Sequence, residues 1–80
     1  MISIRDLLSK IKWDPTETPR DYVLYYYDRV EKKLKEIMFT DIKEISDNFM
    51  LIIINGQETD IPLHRIKKVM QKGIVVWQRS

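Results

Sequence analysis

The chain has 80 residues, of which 44% are hydrophobic and 32% are charged, and its formal net charge is +2. It contains no cysteine and one histidine, which excludes a disulfide framework and the usual zinc sites. Twelve isoleucines and no alanine favour β-strands over a helical bundle. No run reaches the ~18 apolar residues of a membrane span, so we predict one cytoplasmic domain over residues 1–80, without cofactor, metal or membrane segment.

Positive charge is concentrated in the last quarter of the chain. Nine basic and twelve acidic residues lie before Ile61, whereas five basic and no acidic residues lie from Ile61 onwards. The same quarter contains the histidine and one of the two tryptophans. A segment that is basic over this length favours an anionic partner.

Residues 3–12 have the pattern of an amphipathic helix. Apolar residues recur at spacings that place them on one side of a helix, namely Ile4, Leu7, Leu8 and Ile11. Ser3 can cap the first turn, and Pro15 disfavours helical backbone at the residue before it, so the helix should end near Trp13. The segment DPTETP then predicts a loop.

The segment DYVLYYYDRV, residues 21–30, predicts a strand, because it is aromatic and β-branched and contains no breaker. Alternation along a strand places Tyr25, Tyr27 and Arg29 on one face. The charged residues 31–36 predict a connection. Residues 37–45 fit either a single helical turn or an edge strand.

The clearest local signal is a hairpin. Six apolar residues, Phe49–Ile54, precede Asn55-Gly56 and an alternating polar segment, which is the pattern of a two-residue type I′ turn. Because the apolar run has no polar face, we expect a central strand in which Ile53 is buried.

Residues 64–71 fit two structures. They form either a second hairpin that turns at Lys72-Gly73, or a helix that ends before Gly73. In both cases the elements predict an α+β fold, with the N-terminal helix packed on a mostly antiparallel sheet of about five strands.

Three blocks of the chain resemble a known family. They are IRDLLSKIKWDP near the start, YYYDRV in the first strand, and IPLHRIKKV followed by GIVVWQR at the end. Their order and spacing resemble the RNA cyclic group end recognition domain, a small and mainly archaeal family, over nearly the whole chain. The resemblance implies binding of RNA ends that carry a 2′,3′-cyclic phosphate. Family members often have a small residue after the Asp-Arg pair, where this chain has Val30. The resemblance implies no functional role for Glu31–Lys35.

Four basic residues are the predicted phosphate-binding set. A cyclic phosphate is a compact anion, which an arginine can hold with a fork of donors and a histidine with one more. The resemblance and this chemistry together point to His64, Arg65, Arg79 and Arg29. The alternative is that His64 and Arg65 are ordinary solvated residues.

Two aromatic residues are the predicted base-stacking set, Trp77 and Tyr25. Trp77 should share one face of the last strand with Val75 and Arg79, because these residues alternate. The alternatives are that Trp77 closes the core and that Tyr25 packs across strands.

Three functions follow from these residues. The first is a non-catalytic module that binds the single-stranded 3′ end of RNA. The second is an end-processing cyclic phosphodiesterase with His64 as acid or base, which a single histidine disfavours. The third is an assembly module whose exposed strand edge pairs with a second copy, as a homodimer, or with another protein, with the tyrosine-rich first strand at the interface.

Overall fold

The computed structural model describes residues 2–79, which form one helix, seven strands and three single-turn 3-10 helices. The helix is α1 (Ile4–Trp13), and the strands are β1 (Tyr22–Asp28), β2 (Lys33–Met38), β3 (Ile42–Ile45), β4 (Phe49–Ile54), β5 (Gln57–Pro62), β6 (Ile66–Gln71) and β7 (Ile74–Gln78). The 3-10 helices cover Pro19–Asp21, Phe39–Asp41 and Leu63–Arg65.

The strands form two antiparallel sheets. The first has four strands in the order β2-β1-β6-β7, and the second has three in the order β3-β4-β5. The predicted α+β fold is confirmed, whereas the expectation of one sheet of about five strands is wrong. The tyrosine-rich strand β1 lies inside its sheet, hydrogen-bonded on both sides, so it offers no free edge to a second copy.

Helix α1 begins and ends as the sequence predicts. The backbone N–H of Asp6 donates to Ser3 Oγ over 3.1 Å. At the other end the N–H of Asp14 donates to the carbonyl of Lys10 over 2.9 Å, with Asp14 in extended backbone before the proline. The predicted apolar stripe is buried against both sheets.

One apolar core joins the helix to the inner faces of the two sheets. Its residues are Ile4, Leu7, Leu8 and Ile11 from α1, Tyr22, Leu24 and Tyr26 from β1, Phe39, Met50, Ile52, Ile61 and Leu63 from the middle of the chain, and Ile66, Val69 and Trp77 near its end. Within residues 2–79, no polar or charged side chain is buried. Apolar burial is therefore the main stabilising contribution of the core.

The segment between β1 and β4 contains more strand than predicted. Residues 31–36 are not only a connection, because β2 begins at Lys33. Residues 37–45 contain the end of β2, a 3-10 turn with Phe39 buried, and strand β3. The charged residues of β2 are compatible with a strand, because β2 is at the edge of its sheet and its lysines reach solvent or acidic partners.

Both glycine turns adopt the same geometry. Asn55 and Gly56 have φ of 51° and 80°, and Lys72 and Gly73 have φ of 51° and 80°. Positive φ at both central residues is typical of the type I′ turn, which matches the twist of the strands it joins. Residues 64–71 are therefore a 3-10 turn followed by β6, and the helix alternative is wrong.

Strand β4 is central in its sheet but is covered on only one face. Met50 and Ile52 are buried, whereas Phe49 and Ile53 are 44% and 45% exposed. The prediction that Ile53 is buried is wrong. An apolar run without polar residues cannot distinguish a strand covered on both faces from one covered on a single face.

Candidate nucleic-acid interface

The four-stranded sheet brings three separate parts of the chain to one of its ends. Because β1 and β6 are antiparallel, β1 ends where β6 begins, and the last ladder pair joins Tyr26 to Ile66. Strand β7 ends beside the same point of β6. This arrangement places four residues at one end of the sheet, which we call the basic rim: Arg29, His64, Arg65 and Arg79.

Arg79 is held in place by the turn that precedes β6. Its Nε donates to the carbonyl of Ile66 over 3.0 Å, and its Nη2 donates to the carbonyl of Leu63 over 3.2 Å. The guanidinium also lies 5.0 Å from the ring centroid of Trp77. A guanidinium has five N–H donors, so three remain for an external anion. Arg79 therefore offers donors from a fixed position.

Arg65 lies in the 3-10 turn before β6, but its side chain forms no hydrogen bond with that turn. Its side chain is half-buried, and its Nε is buried without a hydrogen-bond partner in the described part of the chain. A buried donor left unpaired costs about 1–3 kcal/mol. Arg65 is thus the rim arginine whose donors the described residues satisfy least. His64, beside it, is exposed.

The acidic residues next to Arg29 are occupied elsewhere. Asp28 Oδ1 accepts the backbone N–H of Val30 over 2.8 Å and of Glu31 over 3.0 Å. Lys35 Nζ lies 3.1 Å from Asp28 Oδ2 and also forms an ion pair with Glu31. These contacts hold the pKa of Asp28 below its ordinary value, and the hydrogen bond from the Glu31 amide makes the largest contribution. Asp28 thus builds the hairpin turn and leaves Arg29 exposed in it.

The basic segment at the end of the chain is not neutralised by the acidic residues before it. Among residues 2–79, Lys72 pairs with Asp21 at 3.8 Å, and it is the only basic residue after Asp60 that forms an ion pair. Arg65 and Arg79 at the rim, and Lys67 and Lys68 in β6, form none. Positive potential is therefore concentrated around the rim.

Trp77 belongs to the core. It is 6% exposed, and its Nε1 donates to the carbonyl of Ile2 over 2.9 Å. A bulge places Val69 opposite Trp77 but Met70 opposite Val75, so Val75 and Trp77 lie on opposite faces despite their spacing. The predicted shared face is wrong for Val75, whereas Arg79 lies over the Trp77 ring. The indole as folded has no open face for a base.

Tyr25 and Tyr27 lie on the outer face of the sheet, as predicted, whereas Arg29 lies beyond the strand in the turn. Lys68 Nζ is 4.6 Å from the ring centroid of Tyr25. Glu36, the cross-strand partner of Tyr25 on β2, raises the pKa of the Tyr25 hydroxyl. Lys68 was missed at the sequence level, because only the pairing of β1 with β6 brings it to this ring.

A second concave region lies away from the rim. It is a cleft of about 830 Å³ between the edge of β2 and the tip of the β4–β5 hairpin. It is lined by Val23, Tyr26, Lys35, Glu36, Ile37, Met38, Thr40, Asp41, Ile52, Ile53, Ile54 and Asn55. None of the rim residues is among them, and Lys35 is already bound by two carboxylates.

The family model described as the MJ1316 RNA cyclic group end recognition domain matches residues 1–79. The chain belongs to this family. The match includes all three blocks on which the resemblance rests.

Relatives from archaea match over most or nearly all of the chain. UPF0248 protein SSO2687 of Saccharolobus solfataricus is 35% identical over 82 residues, which cover 99% of each chain. UPF0248 protein MK0350 of Methanopyrus kandleri is 31% identical over 68 residues, which cover 84% of this chain and 86% of the relative. No solved structure matches. No helix in the described range 2–79 has the length and apolar character needed to cross a membrane.

Proposed function

We propose that this protein binds the 3′ end of single-stranded RNA and recognises a terminal 2′,3′-cyclic phosphate at the basic rim, without cleaving it. The observation that carries the proposal is the group of rim arginines that no carboxylate of residues 2–79 pairs with. Family membership supports an RNA end as the ligand. The proposed location is the cytoplasm, where a protein that lacks cysteine has no need of an oxidising environment.

The chemistry of the ligand matches the donors of the rim. A 2′,3′-cyclic phosphate carries one negative charge on two non-bridging oxygens. The planar fork of Arg65 can bind both oxygens at once, which gives directional recognition as well as charge attraction. Arg79 adds donors from its fixed position, and Arg29 and His64 flank the group. An RNA that ends in two hydroxyls lacks these acceptors.

A titration with end-defined RNAs tests the proposal. Three oligonucleotides of one sequence would end in a 2′,3′-cyclic phosphate, a 3′-phosphate or a 3′-hydroxyl, and fluorescence anisotropy would give the affinity of each. We expect the cyclic-ended RNA to bind more tightly than the hydroxyl-ended RNA by about 1–3 kcal/mol, the scale of charge-assisted hydrogen bonds. Mass analysis of the recovered RNA should show an unchanged end.

Two outcomes contradict the proposal in different ways. Equal affinity for the three ends would leave a sequence- and end-independent RNA binder. Conversion of the cyclic phosphate to a monophosphate would identify an enzyme instead, with His64 as the first residue to examine as acid or base.

A further inference from the structure

The outer face of the four-stranded sheet is not covered by any element of residues 2–79. Helix α1 and the second sheet pack on the inner face, where β1 buries Tyr22, Leu24 and Tyr26. The alternating residues of β1, including Tyr25 and Tyr27, lie on the opposite face. An antiparallel sheet can expose one face to solvent, but that face is then normally polar.

This outer face is rich in aromatic and apolar side chains. Leu34 of β2 lies beside Tyr27 of β1. Tyr25 has Glu36 on its β2 side and Lys68 on its β6 side, and Val23 has Met38 and Met70 in the same way. On β7 the face carries Val75 and Gln78. Tyr27 is 36% exposed, Met38 38%, Val75 46% and Leu34 49%. Exposed apolar groups that share one face indicate an interaction surface.

The face is continuous with the basic rim. The ladder between β1 and β6 ends at Tyr26 and Ile66. The next residue beyond the ladder is therefore Tyr27 on the β1 side and Arg65 on the β6 side. One row further into the sheet, Tyr25 is paired with Lys68. From the rim towards the middle of the sheet, the residues therefore follow in the order Arg65, Tyr27, and then Tyr25 with Lys68.

We propose that this face binds the last two nucleotides of the RNA, with the terminal base stacked on Tyr27 and the preceding base stacked on Tyr25. Lys68, whose ammonium lies over the Tyr25 ring in the free protein, moves off the ring to hold the phosphate that links the two nucleotides. The polarity of the strand rests on the proposed function, which places the terminal phosphate at Arg65. Tyr25 and Tyr27 are two residues apart, or about 6.6 Å along the strand, so each ring has room for one base of an extended RNA.

The composition of the face favours RNA over a second protein chain. Aromatic rings with an adjacent lysine form the usual surface for single-stranded nucleic acid. A row of polar residues, Glu36, Tyr25, Lys68 and Gln78, crosses the middle of the face. The centre of a protein interface is normally depleted of charge. The row contains one acid, Glu36, which lies beside Tyr25 across the strands.

The test compares a 2′,3′-cyclic mononucleotide with cyclic-ended dinucleotide and trinucleotide RNAs. The wild type should gain affinity from the mononucleotide to the dinucleotide. Tyr25→Leu should remove about 5- to 150-fold of that gain, the range for loss of one base stack, and should leave mononucleotide binding unchanged. Tyr25→Phe keeps the ring and should retain the gain, which separates stacking from any contribution of the hydroxyl group.

Two further measurements keep the result independent of folding. Lys68→Gln should weaken dinucleotide binding more than Lys43→Gln, a change of equal charge in β3 of the other sheet. In the wild type, a 2-aminopurine placed at the penultimate position should lose fluorescence on binding, because stacking quenches it. An unchanged gain in Tyr25→Leu, or an unquenched probe, would overturn the proposed stacking.

The outcomes distinguish this proposal from the proposed function. If hydroxyl-ended RNAs bind as tightly as cyclic-ended ones, end recognition fails, yet a gain with length that depends on Tyr25 would still support the stacking face. A dimer in analytical ultracentrifugation that Val75→Lys dissociates, with RNA affinity unaffected, would assign this face to a second copy and overturn the proposal.

Discussion

Adjacent isoleucines in β4 allow a matched test of how the core is built. Ile52 is 1% exposed and packs in the core, whereas Ile53, the next residue on the same strand, is 45% exposed. Both lie in the same ladder with β5, opposite Thr59 and Glu58. Replacing either with alanine removes the same atoms and changes strand propensity equally, so the difference between the two variants reports burial.

The expected magnitudes follow from that burial. Isoleucine to alanine removes three carbon groups, worth about 0.8 kcal/mol each when fully buried, and a core site adds the cost of the cavity. Ile52→Ala should therefore lower the free energy of unfolding by about 2–5 kcal/mol. Ile53→Ala should lower it by about 1 kcal/mol, since nearly half of its side chain is already in water.

Urea denaturation followed by circular dichroism measures both losses, with the thermal midpoint as a second observable. A domain of this size shifts its midpoint by roughly 4–8 °C per kcal/mol, so Ile52→Ala should melt at least about 8 °C below the wild type. Equal losses for the two variants, or a larger loss for Ile53→Ala, would refute the assignment of the inner and outer faces of β4.

The remaining predictions concern the rim and the residues that support it. Log affinity for single-stranded RNA should fall with log salt with a slope of roughly −1.5 to −3, as expected for about two to four phosphate contacts, and a flat response would contradict the electrostatic account. His64→Gln should change RNA affinity without changing the recovered RNA, whereas a wild-type activity abolished by this substitution would indicate catalysis. The pKa of Asp28 is lowered in the folded state, so its contribution to stability is present above about pH 4 and is lost as pH falls through the folded pKa. The melting temperature of Asp28→Asn should therefore fall less steeply than that of the wild type below pH 4, and parallel curves would contradict the role of Asp28 in the turn.

Local chemistry was enough to predict several elements of the fold. The Ser3 cap and Pro15 define α1, and the Asn55-Gly56 turn follows from the need for positive φ at two successive residues. These signals depend only on neighbours in sequence. The second sheet could not be predicted in the same way, because it depends on which strands pair over long sequence distances.

The residues of the candidate site remain a prediction, and the structure adds the geometry around them. The sequence identified Arg65 and Arg79, but the difference between them arises from two carbonyls that Arg79 alone reaches. Alternation predicted one face for Val75 and Trp77, and a bulge at Val76 places them on opposite faces. A bulge depends on the partner strand, so the pattern of β7 alone does not show it.

The measurement that tests end recognition most directly is the coupling between Arg65 and the RNA end. Wild type and Arg65→Lys would each be titrated with cyclic-ended and hydroxyl-ended RNA of one sequence, and Arg20→Lys, an exposed arginine before β1, would serve as the matched control. Lysine keeps the charge but loses the planar fork. We expect Arg65→Lys to weaken binding of the cyclic-ended RNA by about 1–3 kcal/mol and to affect the hydroxyl-ended RNA much less. Circular dichroism of the variant should show that the fold is retained. Equal losses for the two RNAs, or no loss for either, would contradict recognition of the cyclic phosphate at Arg65.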